Sequence, residues 1–130
     1  MEAYPMGVIR FFERQNLSAQ EAETVEVFSP IIPMSGDNYL DVVFKVDALN
    51  ATGGTPNFGW KVFTSNDGQN WVEVSGFTQS TTSTGSTHKE GPVRGAFLKI
   101  ACVLTQAGAV STDVGFATFE VTGNVLRSSN

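Results

Sequence analysis

The chain is poor in the residues that usually carry chemistry. It has one cysteine, Cys102, and one histidine, His88, among 130 residues. A lone cysteine excludes an internal disulfide framework and any site built on several thiolates. It also stands inside the apolar run FLKIACVL, where a buried, inert thiol is the ordinary outcome. One cysteine and one histidine leave too few donors for a zinc site, and no segment clusters the carboxylates that calcium needs. Neither a metal nor a cofactor is expected. The sequence ATGGTP is no phosphate loop, because it lacks the Lys-Ser/Thr pair and a following helix.

Charge is scarce as well. Charged residues make up 16% of the chain, below the roughly 25% usual in soluble domains. The net charge of −5 gives no electrostatic reason to seek phosphate backbones or anionic lipid, so no nucleic-acid and no membrane partner is expected. No apolar run approaches the ~18 residues of a membrane-spanning helix. The start, MEAYPMGVIRFFERQ, lacks the basic opening and continuous apolar centre of a signal peptide, so synthesis without export is the expectation.

What the chain does have is a period of two. In YLDVVFKVDAL, residues Leu40, Val42, Phe44, Val46 and Ala48 share one face, with Asp41, Lys45 and Asp47 on the other. NFGWKVFTS sets Phe58, Trp60 and Val62 against Gly59, Lys61 and Phe63; AFLKIACVL and VGFATFEVTG alternate in the same way. With the shorter candidates GVIRFFE, ETVEVFS, NWVEVS and GFTQSTT, about eight strands emerge, separated by Gly-, Asn- and Ser-rich turns. LSAQEAETVEVF offers at most one helical turn behind a Ser18 cap, because Val25 and Val27 then alternate like a strand. The expected fold is all-β: a single antiparallel β-sandwich of jelly-roll type spanning residues 1–130. Its core should hold Val42, Phe44, Val46, Trp60, Val62, Ile100, Cys102 and Phe119. KVDALNATGGTPNFGWKVF and KIACVLTQAGAVSTDVGFATFEV share a plan and are expected to be two similar long hairpins. STTSTGSTHKEGP, residues 80–92, is of low complexity and is expected to be a mobile surface loop.

FTSNDGQNWVEV contains a strong turn signal at Asp67-Gly68, and the expectation is that SNDGQN closes a hairpin, with Trp71 packing over its root. As a calcium loop it would offer only one local carboxylate, Asp67. The stretch WKVFTSNDGQNWVEV, followed by GPVRGAFLKIACVL, resembles a Ser-x-Asp-Gly-x-x-Trp pattern carried here by Ser65, Asp67, Gly68 and Trp71. It is similar to discoidin-like, galactose-binding-type jelly rolls and to small structural β-sandwich proteins encoded among bacteriophage and prophage genes. The resemblance covers about residues 39–122. It departs from the discoidin-like pattern in lacking an N-terminal segment and paired cysteines, and in carrying Lys99 where an arginine often stands.

The resemblance implies a non-enzymatic structural protein of a phage-type virion or capsid-associated assembly, located in the virion. Its partners would be itself or another virion protein; a carbohydrate- or ligand-binding module is the alternative, in which Trp60, Trp71 or Tyr39 would stack on sugar rings.

No catalytic residue is expected. His88 falls in a flexible tract that cannot preorganise a base. The carboxylates Asp37, Asp41, Asp47 and Asp113 are read as solvated charge rather than as the acid–base pair that a glycosidase needs. The N-terminal segment AYPMGVIRFFERQ is apolar on both faces, which suits either a central strand of its own domain or a strand covered by another chain. On the second reading residues 1–14 form an interface strand, and Tyr4, Met6, Ile9, Phe11 and Phe12 contact a neighbouring subunit.

Overall fold

A computed structural model describes residues 8–20, 23–106 and 113–127. They form ten strands: β1 (Ile9–Gln20), β2 (Thr24–Phe28), β3 (Ile32–Pro33), β4 (Tyr39–Ala51), β5 (Asn57–Ser65), β6 (Val72–Glu73), β7 (Gln79–Thr81), β8 (Gly85–Pro92), β9 (Phe97–Thr105) and β10 (Val114–Leu126). Every pairing is antiparallel. Sheet A has the order β1-β10-β4-β8; sheet B has the order β2-β9-β5-β6, with β3 beside β9 and β7 beside β5.

The chain changes sheet at most connections; only β5–β6–β7, in which β6 and β7 both pair with β5, and the β2–β3 step stay within one. This alternation, with first and last long strands adjacent in sheet A, is the jelly-roll order. The two segments with a shared plan are therefore not hairpins. β4 lies in sheet A and β5 in sheet B, β9 in sheet B and β10 in sheet A, so each segment is an arch between the sheets. The arches stand side by side, because β4 pairs with β10 and β5 with β9.

The sheets meet through the alternating faces. All eight core residues expected from periodicity are buried. Phe44 of sheet A stacks on Trp60 of sheet B at 4.4 Å with 8° between the rings, and Phe58 meets Phe119 at 4.8 Å. Aromatic pairs across the interlayer space add to area burial. Cys102 is buried on β9, which lies between β2 and β5, and burial pushes its thiol pKa up.

Two segments depart from expectation. In β1 the register against β10 shifts between Arg10 and Phe12 and again between Phe12 and Gln15. Each shift inserts one extra residue, a β-bulge that breaks strict alternation. Phe11 and Phe12, adjacent in sequence, consequently both turn inward, at 1% and 5% exposure, and Phe12 packs edge-on against Phe119 at 5.4 Å. The expectation that these two rings anchor a neighbouring subunit is thereby corrected. Ile9 packs against the same core, while Tyr4 and Met6 lie outside the described residues.

The second departure is residues 80–92, which are mostly strand: they run from the end of β7 into β8, and only 82–84 lie between. β8 pairs with β4 from Tyr39↔Pro92 to Val46↔Gly85 and forms an edge of sheet A. Ser and Thr tolerate an extended edge, and Lys89, opposite the inward Val42, sets a charge on the core side of that edge. Such a lysine discourages further strands from adding.

Candidate functional site

The loop that follows β5 is closed by its own side chains. Asp67 Oδ1 accepts hydrogen bonds from Ser65 Oγ at 3.0 Å and from the backbone N–H groups of Gln69 and Asn70 at 2.9 and 2.8 Å. Its Oδ2 accepts from Asn70 Nδ2 at 2.7 Å. Ser65 Oγ in turn accepts from the N–H groups of Asp67 and Gly68, and Gly68 supplies φ +78°. These donors, first the backbone N–H groups of Asn70 and Gln69, hold the Asp67 carboxyl well below the usual carboxylate range. Ser65, Asp67 and Gly68 are thus explained by turn chemistry, as the sequence suggests.

Trp71, the last member of the pattern, does something else. The Lys99 Nζ lies 4.4 Å from the centroid of the Trp71 ring and 4.4 Å from that of Phe28, bridging strands far apart in sequence. Phe63, opposite Lys99 in the β5–β9 register, approaches Phe28 at 6.4 Å. A lysine gripped by two rings, with a third beside them, occupies the outer face of sheet B. Phe28 is 49% exposed, and Ile31, three residues on, is 51% exposed. The sequence carried a signal for this site: in ETVEVFS, Phe28 follows Thr24 and Glu26 on a polar face, and in NFGWKVFTS, Phe63 follows Gly59 and Lys61. An aromatic that breaks an otherwise polar face is the legible mark.

The outer face of sheet A is different. Arg14 and Lys45 both reach Asp47, His88 Nε2 lies 2.5 Å from Asp41 Oδ1, and the Tyr39 hydroxyl donates to Glu90 at 3.2 Å. His88 thus sits on a strand beside a carboxylate, not in a loop. No serine, threonine or cysteine is hydrogen-bonded to it among the described residues, so the pair lacks a nucleophile. The four carboxylates considered for acid–base work are not brought together. Asp41 and Asp47 have separate partners, Asp37 precedes β4 at one end of the sandwich, and Asp113 lies against Gly53 at the other. Among the described residues no three His, Cys, Asp or Glu side chains gather where they could hold a metal ion.

One end of the sandwich gathers three loops. Met34 N–H donates to the Ala96 carbonyl and Ala96 N–H to the Ser65 carbonyl, both at 2.9 Å, while Val93 N–H donates to the Asn38 carbonyl at 3.0 Å. Gly95 permits the approach, since a Cβ there would lie 3.1 Å from the Ser65 carbonyl oxygen. Arg94 separates two clefts, one of about 670 Å³ along Asp37, Tyr39 and Pro92, the other of about 380 Å³ along Asn66 and Val72. Of the three aromatics considered for sugar stacking, Trp60 is in the core and Trp71 is engaged by Lys99. Only Tyr39 lines a cleft at this end.

Comparison with protein-family models, curated proteins and solved structures returned no match.

Proposed function

We propose that this chain is a non-enzymatic structural subunit of a phage-type virion or capsid-associated assembly, and that it associates with further copies of itself through the outer face of sheet B. The observation that carries the reading is the ring-and-lysine cluster of Phe28, Phe63, Trp71 and Lys99, with the exposed Ile31 close by in the chain. Aromatic residues beside a cation are the composition of interface centres rather than of solvated sheet faces. Jelly rolls serve widely as coat domains, and the Ser-x-Asp-Gly-x-x-Trp resemblance points the same way.

Charge favours a second copy as the occupant. The face carries both signs, Lys61 and Lys99 with Glu26 and Glu73, so two copies related by a twofold axis can set lysine against carboxylate. A neighbouring copy can therefore supply carboxylates to the lysine-bearing face, in a contact that weakens with salt. Light scattering across the micromolar range at low salt tests this. The expected result is a mass of several subunits that falls to one subunit in Phe28→Ser/Ile31→Ser. A wild-type chain that stays monomeric throughout overturns the proposal.

A further inference from the structure

Independently of self-association, we infer that the cleft between the β3–β4 and β8–β9 loops binds a saccharide bearing a carboxylate. Its walls are supplied by Gly36, Asp37, Tyr39, Pro92 and Arg94, and its volume of about 670 Å³ suits a ligand of one or two sugar rings. The loops are already laced by backbone hydrogen bonds, including Asn38 N–H to the Leu126 carbonyl at 2.9 Å, so little ordering is left for a ligand to impose.

One guanidinium, that of Arg94, lines the cleft. A second lies beside a lining residue, since a Cβ built on Gly36 would meet a terminal nitrogen of Arg127 at 2.7 Å. Neither arginine has an ion-pair partner among the described residues. The Asp67 carboxylate near Arg94 is taken up by four hydrogen bonds within its own loop. In an acidic chain, an arginine without an ion pair that lines a cleft is suited to a planar anion, which a guanidinium grips in bidentate fashion.

The remaining groups select a sugar. The Tyr39 ring, steadied by its hydroxyl bond to Glu90, and the Pro92 ring give flat apolar surface for the C–H face of a pyranose. Asp37 on the same wall can accept hydrogen bonds from ring hydroxyls.

Amide chemical-shift titration of the full chain with glucuronate, glucose and acetate separates the contributions. Glucuronate is expected to shift Tyr39, Arg94 and Gly95 in a saturable way, with glucose and acetate each binding at least about tenfold more weakly. Arg94→Gln and Tyr39→Ala should each lower the glucuronate affinity by about tenfold or more with unchanged melting temperature. Three results overturn the inference: no saturable shift with glucuronate, equal binding of acetate (an anion site only), or equal binding of glucose (no recognition of the carboxylate).

Discussion

The two sheets obey the same alternation and face water in opposite ways. Sheet A ends its outward side chains in mutual contacts, Arg14 and Lys45 with Asp47, His88 with Asp41, Tyr39 with Glu90. Its exposed apolar groups, Val8 before β1 and Phe116 and Leu126 on β10, include a single aromatic ring. Phe116 and Leu126 lie ten positions apart on β10, about 33 Å along the strand. Sheet B instead brings Phe28, Phe63 and Trp71 around one lysine. A face whose polar groups are mutually satisfied can remain in solvent, whereas a contiguous aromatic cluster marks a surface with something to bury. The difference between the faces therefore bears on function, although the inner faces are equivalent.

Breaking the shared interior should remove both faces at once, with the largest effect. Phe44→Ala deletes the ring stacked on Trp60 and is expected to cost about 3–5 kcal/mol in denaturant unfolding; a loss under about 1 kcal/mol would refute the packing described. Next comes the contrast itself. Phe28→Ser should weaken self-association by about 2 kcal/mol or more, while Phe116→Ser, equally exposed but on sheet A, should leave the association constant unchanged. If both substitutions act alike, the faces do not differ in the way proposed.

Lys99→Ala sharpens the role of the cation. It is expected to cost about 1 kcal/mol of stability from the two ring contacts, and to alter the salt dependence of association. The Ser65–Asp67 turn adds an effect seen only in acid. A carboxyl held below its unfolded value of about 3.9 stabilises the fold fully above that pH, and the contribution fades as pH falls through the lower folded value. Asp67→Asn should therefore lower the melting temperature at neutral pH and shrink the difference toward strong acid. Smallest of all, Arg14→Ala on sheet A should cost no more than about 1 kcal/mol, and less in high salt, because its ion pair is exposed.

Much of this was legible because it is local. The eight core positions follow from a period of two that each strand displays alone, and SNDGQN could be recognised as a turn because its donors and acceptors lie within five residues of one another. Phe11 and Phe12 misled for a reason equally physical. Strict alternation sends adjacent residues to opposite faces, and only the register of β10, more than a hundred residues away, reveals the two bulges that turn both rings inward. Residues 80–92 misled in the same way, since a run of Ser, Thr and Gly becomes a strand by pairing with β4, not by any preference of its own.

The sequence by itself determined that this chain is a β-sandwich, that eight alternating positions of β4, β5, β9 and β10 lie in its core, and how the Ser65–Asn70 turn closes. Those outcomes depend on side-chain alternation and on hydrogen bonds between near neighbours. Only the tertiary structure decided that the two similar segments are arches rather than hairpins. It alone set Lys99 between Phe28 and Trp71, and gathered Asp37, Tyr39 and Arg94 around one cleft. Each of these joins residues from strands or loops far apart in the chain, and the register that joins them is fixed by burying both sheets at once, a condition no single segment carries.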